Sequence, residues 1–260
     1  MTKKESAIKQ RLDEALENYA HDGFITQDPI QIPHRFSLQQ DIEIAGFFAA
    51  IFAWGQRKTI IAKSIELMRA MDNAPYDFVL HHSKKELQSL ESFVHRTFNG
   101  TDLLYTIDFL SRHYGKFESL EDAFVPSLTY ESTDTGQALI HFHQQFTQSE
   151  YFPKRTEKHI ASPAKHSSCK RLNMYLRWMC RTNREGIDFN LWHKIQPSQL
   201  VCPLDVHVMR VAEKIGLCSF NNNAWDNAVN LTKTLKKFDA KDPVKYDLAL
   251  FSLGADGLFK

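Results

Sequence analysis

The chain has 260 residues, 43% of them hydrophobic and 24% charged, with a formal net charge of +1. That is enough material for one large or two small cores and describes an ordinary globular composition, which excludes a disordered or fibrous protein. The first residues, MTKKESAIKQRLDEALENY, lack the apolar stretch of a secretory signal, and the longest apolar run, Gly46–Gly55, is too short to span a bilayer, so a cytoplasmic location is expected.

In chain order, Ile8, Leu12, Ala15, Leu16 and Tyr19 recur at helical spacing and predict an amphipathic first helix. DPIQIPHRF, residues 28–36, holds two prolines and reads as a loop. Ser37 with Gln40 has the spacing of a capping box and opens an apolar helix through Ile44, Phe47, Phe48, Ile51 and Phe52. Gly55 breaks it, and a second stripe follows from Lys58. Weaker helical patterns lie near 83–96, 101–114 and 135–147, while Phe117–Gly136, acidic and without a basic residue, reads as a linker or surface excursion.

The second half is patterned more sharply. Helices are expected from Ser168 to Arg181, from Pro203 to Ile215 with Gly216 as the stop, from Asn223 to Phe238, and from Asp242-Pro243 to Gly254. Strand patterns are nearly absent, so the expected fold class is all-α, with about ten helices in two lobes. Residues 57–165 are expected to form a central bundle, with 1–56 plus 182–260 as the second lobe and 166–181 as a hairpin-like helix carrying Lys170. The four cysteines, Cys169, Cys180, Cys202 and Cys218, have no metal-site spacing and read as free thiols; no metal and no cofactor are expected.

Charge concentrates in one place. Residues 154–184 hold nine basic residues against Glu157 alone, a local excess of +8 in a chain whose total is +1. The block reads as a polyanion footprint, with Lys165, Arg171, Arg177 and Arg181 as phosphate contacts and Ser167 and Ser168 beside a helix start, where free N–H groups can bind phosphate. Lys170 falls in the first turn of its helix. There the positive end of the dipole disfavours an ammonium and favours the free amine that a nucleophile needs. Asp205 lies at the start of a later amphipathic helix, where the dipole favours a carboxylate. An amine and a carboxylate, each at a helix N-terminus, are the minimum for opening an N-glycosidic bond: the amine attacks the anomeric carbon and the carboxylate balances positive charge on the sugar.

Five stretches carry a resemblance: Asp28–Phe36, Ala53–Lys58, Ser167–Met179, Pro203–Val208 and Asp242–Leu250. Over nearly its entire length the chain resembles a bacterial family of unknown function related to the helix-hairpin-helix DNA glycosylase superfamily. The resemblance to glycosylases themselves is confined to residues 160–255, and the layout is closest to archaeal 8-oxoguanine glycosylases, which also carry an insertion where residues 182–202 stand. It implies Lys170 and Asp205 as the catalytic pair of a DNA glycosylase with AP-lyase activity, acting as a monomer on duplex DNA with a damaged base. It further implies Gln56, Arg57 and Lys58 as the turn filling the gap of a flipped base, His207 as a DNA contact, and Trp54 and Trp178 as stacking candidates. Two features depart from the superfamily: ASPAKHSSCK replaces its glycine-bearing hairpin, and its C-terminal cysteine cluster is absent. A nucleic-acid-binding protein of the same fold without the chemistry is the alternative.

Overall fold

The computed structural model describes residues 1–19, 25–127, 132–182 and 186–255. These are mostly helical. The α-helices are α1 Lys3–Tyr19, α2 Gln39–Phe52, α3 Arg57–Ala70, α4 Pro75–His81, α5 Lys84–Ser89, α6 Gly100–Tyr114, α7 Gly136–Thr147, α8 Lys170–Cys180, α9 Val206–Lys214, α10 Ala224–Lys236 and α11 Tyr246–Ala255. One antiparallel pair, β1 Val94–His95 and β2 Phe98–Asn99, is the only sheet among the described residues. The class is all-α. Among the described residues no helix is long and apolar enough to cross a membrane.

The chain divides into two compact units, with boundaries that differ from the expected ones. One comprises residues 27–127 and 138–161, the other residues 1–26, 128–137 and 162–260. Residues 27–56 therefore belong with the central bundle and not with the termini. The reason is α2, which is buried on every side from Ile42 to Phe52 and so must sit at the centre of a core. It packs on α3, α4 and the segment 29–35. That segment is not an open loop: Pro29–Gln31 and Pro33–Arg35 form 3-10 turns, with Ile30 and Ile32 fully buried. The expected Ser37–Gln40 capping box does not form. Leu38 is the N-cap, and Gln40 Nε2 instead donates to the Glu118 carbonyl at 2.9 Å.

Many of the nineteen phenylalanines gather in this unit, where Phe47, Phe109 and Phe146 surround Phe142 and Phe124 stacks on it at 4.2 Å between ring centroids. Phe124 and Leu120 are fully buried, Leu120 within a 3-10 turn and Phe124 at its end, so residues 120–124 of the expected linker belong to the core. Its residues 128–131 lie outside the described residues. The helix expected over 83–96 stops at Ser89. Ser83 and Glu86 form a true capping box there, and Arg96, with φ +57°, turns the chain into β2.

In the other unit α11 packs on α1 and α9. Leu12 and Ala15 meet Val208, Val211 and Ala212 together with Tyr246, Ala249, Leu250 and Leu253 in one apolar cluster. α8 is buried over most of its surface: Leu172, Tyr175, Leu176 and Trp178 all lie inside.

Candidate functional site

Lys170 is the first residue of α8. The loop before it is not a helical hairpin: Pro163–Lys165 forms a single 3-10 turn, and the chain reaches α8 through left-handed backbone at His166 (φ +57°) and Cys169 (φ +50°). Side chains hold these positions in the absence of glycine. Ser167 Oγ accepts from the Cys169 N–H at 3.2 Å, Asn173 Nδ2 donates to the Ser168 carbonyl at 2.9 Å, and Ser168 Oγ donates to the Leu204 carbonyl at 3.2 Å. The last bond ties the start of α8 to the residue preceding Asp205.

Asp205 is the N-cap of α9, just ahead of the first turn in which the sequence pattern had placed it. Its Oδ1 accepts from the His207 and Val208 N–H groups at 2.9 and 3.0 Å. Its Oδ2 lies 2.9 Å from Lys170 Nζ, and the two side chains are 23% and 36% exposed respectively. This carboxylate offsets the unfavourable dipole that Lys170 meets at the start of α8. Burial alone would push the Asp205 carboxyl up, but the Lys170 charge and the two amides outweigh it and hold it below its ordinary range.

The rest of the basic block behaves differently. Arg177 and Arg181, expected as phosphate contacts, are both only 3% exposed. Arg177 pairs with Asp247 at 2.6 Å and with Asp188, and Arg181 pairs with Asp188 and grips Asp242 through two bonds of 2.8 and 2.9 Å. Arg155, too, is engaged, by Asp102. Much of the local excess of charge is thus neutralised by acids from elsewhere in the chain, which a sum over a window of sequence does not see. Arg184 lies outside the described residues. Arg171 is half-buried, and burial pulls its guanidinium below its usual value. Lys154, Arg155, Lys158 and Lys165 are the exposed cations of the block among the described residues, Arg155 in contact with Asp102, and His207 is exposed beside Asp205.

Trp178 is fully buried and is no stacking platform. Trp54, Gln56, Arg57 and Lys58 belong to the other unit. Gln56, Arg57 and Lys58 are exposed at the start of α3, while one face of the half-buried Trp54 is covered by the Arg96 guanidinium at 4.2 Å.

Sequence reasoning missed the acids. Asp188, Asp242 and Asp247 complete the α8 network, and Asp188 lies in the 182–202 insertion. That segment also closes the end of α8, because Phe189 N–H donates to the Trp178 carbonyl and Leu191 and Trp192 N–H to that of Met179. The apolar residues Ile187, Trp192 and Ile195, all buried, were the available sign that the insertion is structural. All four cysteines are free thiols, three of them buried.

The described residues form a helical protein in which a lysine–aspartate ion pair, Lys170 with Asp205, sits at two helix N-termini. Residues 28–256 match the family described as "Protein of unknown function (DUF2400)", and the chain belongs to that family. No curated protein and no solved structure was found to match it.

Proposed function

We propose that the protein is a cytoplasmic, monomeric DNA repair enzyme of the helix-hairpin-helix glycosylase type, an N-glycosylase with AP-lyase activity that uses Lys170 and Asp205. The observation that carries this reading is the 2.9 Å contact between Lys170 Nζ and Asp205 Oδ2 at two helix N-termini, open enough to meet an extruded nucleotide. In the reaction, the Lys170 ammonium gives up its proton to solvent, Asp205 stays ionised, and the freed amine attacks C1′ of the nucleotide. The base leaves with the electron pair of the N-glycosidic bond, and Asp205 balances positive charge on the sugar as it develops. The covalent product opens to a Schiff base, from which the 3′ phosphate is lost by elimination. Lys165, Ser167, Ser168 and His207 are candidate contacts to the backbone beside the pair, and Gln56, Arg57 and Lys58 are candidates in the other unit.

The test is borohydride trapping on a panel of duplexes, each carrying one damaged base. A covalent adduct with wild-type protein, lost in Lys170→Ala and mapped to Lys170 by peptide mass spectrometry, is the expected result. Binding without excision or adduct on every duplex would leave a nucleic-acid-binding protein and overturn the catalytic reading.

A further inference from the structure

The turn between β1 and β2 carries Arg96, whose backbone is left-handed at φ +57°. Two contacts fix this hairpin in place. His95 Nε2 donates to the Phe52 carbonyl at 3.0 Å, at the end of α2, and Arg155 Nη2 donates to the Thr97 carbonyl at 3.1 Å. Held there, the Arg96 guanidinium lies over the Trp54 ring, 4.2 Å from its centroid. Gly55 leaves the room for it. Its φ of +107° suits glycine, and a Cβ at that position would collide with Arg96 Nη1.

Arg96 differs from the buried arginines of α8 in what surrounds it. It is exposed, and among the described residues no carboxylate or carbonyl takes a hydrogen bond from its guanidinium. Neither residues 53–60 nor residues 92–99 contain an acid. Arg57 and Lys58 follow Gly55 by two and three positions and are exposed as well. The indole holds the guanidinium flat, so its N–H donors point outward in one plane. Because Arg96 is exposed, the face turned away from Trp54 stays open. The N–H edge suits any anion, carboxylate or phosphate alike. The flat face gains only from a planar group, and single-stranded nucleic acid is the polyanion that carries one beside every phosphate.

We propose that Trp54 and Arg96 form a binding site for an unpaired nucleotide of single-stranded nucleic acid. The base stacks on the open face of the Arg96 guanidinium, with the Trp54 ring behind it, and a neighbouring phosphate meets the N–H edge. Arg57 and Lys58 supply further positive charge for the strand. The site needs neither Lys170 nor Asp205, which belong to the other unit, so a protein that excises no base would still hold a strand here.

The test is an anisotropy titration of the full-length protein with three labelled probes. They are an undamaged oligodeoxyadenylate, a propanediol-phosphate strand with the same number of phosphates but no bases, and an oligoglutamate. The oligodeoxyadenylate should bind about 5-fold more tightly, or better, than the strand without bases, the scale of one stacked base. Arg96→Asn should close that gap, since asparagine accepts the left-handed backbone but offers no guanidinium. Arg96→Lys, which keeps the charge and loses the plane, should narrow it too. Equal binding of the wild type to the strand without bases, or to oligoglutamate, overturns the proposal, and so does a gap that Arg96→Asn leaves unchanged. If that variant does not fold, the wild type decides: oligodeoxyadenylate should protect Arg96 from p-hydroxyphenylglyoxal, and modification at the unprotected rate overturns the site. An undamaged strand is no substrate for a glycosylase, so this result is read separately from borohydride trapping.

Discussion

Lys170 and Asp205 meet through one carboxylate oxygen: Nζ lies 2.9 Å from Oδ2, while Oδ1 caps α9 by accepting from the His207 and Val208 N–H groups. Cap and ion pair are therefore two uses of one side chain, and substitutions can separate them. Asn caps a helix about as well as Asp. Asp205→Asn should keep the cap and lose the ion pair, at a cost of at most about 1 kcal/mol for a partly exposed pair. Asp205→Ala should lose both, costing about 1–2 kcal/mol. On the proposed function, Asp205→Asn also lowers excision by roughly 10²-fold or more. Urea unfolding and single-turnover excision on the same variants check this, and full excision by the Asn variant would remove Asp205 from the chemistry.

The same carboxylate makes a prediction in acid. Its pKa is depressed in the folded protein below the ordinary value of 3.8, through the Lys170 charge and the two amides. A depressed carboxyl stabilises the fold at every pH above its unfolded value, and that stabilisation is lost as pH falls through the folded value. The stability difference between wild type and Asp205→Asn should then be constant above about pH 5 and shrink on further acidification. Melts at stepped pH measure it directly. A difference that grew below about pH 4 would contradict the assignment.

The burial of Arg181 reverses what a substitution should do at a residue the sequence assigns to DNA contact. Arg181→Glu places a third carboxylate against Asp188 and Asp242 in a site only 3% exposed. Breaking a buried pair by removing one partner costs about 3–5 kcal/mol, and reversing the charge costs more. Poor expression and a large loss of denaturation midpoint are expected, not a folded protein with weaker DNA binding. Lys158→Glu, on an exposed cation of the same block, should leave stability nearly unchanged.

The contrast between these residues shows what the sequence could reveal. Helices with a clean apolar stripe, such as that through Val208 and Val211, were legible because burial imposes a period of 3.6 on one segment alone. The helix-start positions of Lys170 and Asp205 were legible for a similar reason, since they too are local properties. The fates of Arg177 and Arg181 were not, because their partners lie in the insertion, before α11 and on α11. Charge pairing across the fold leaves no periodic trace. The hairpin at Val94–Asn99 was missed because two residues per strand are too few to show alternation. The 29–35 segment was missed because its prolines, which exclude an α-helix interior, fit the first position of a 3-10 turn.

Phe124 tests whether the acidic stretch that starts at Phe117 is core instead of linker. Its ring is fully buried and stacks on Phe142 with 6° between the planes. Phe124→Ala should cost about 3–5 kcal/mol, as for any large aromatic removed from a close-packed core. Phe117→Ala, on a side chain 46% exposed in the same stretch, should cost far less. Equal costs, read from chemical denaturation, would mean that the segment does not pack as described.

The proposed DNA contact has a salt dependence that the ion pairs reset. If all nine basic residues of the block faced DNA, roughly four to six phosphate contacts would give a slope of log K against log salt of about −4 to −5. Among the described residues of the block, Arg155, Lys170, Arg177 and Arg181 are engaged by carboxylates. Roughly two or three contacts from the exposed cations then imply a slope of about −2 to −3. Each residue that truly meets a phosphate contributes close to one unit, so Lys165→Ala should flatten the slope by roughly that amount while weakening binding to all sequences alike. Anisotropy titrations of a labelled duplex from about 50 to 300 mM salt measure both quantities. A slope near zero in the wild type would remove DNA as the partner. A slope as steep as about −5 would require cations beyond those the structure leaves exposed in the block.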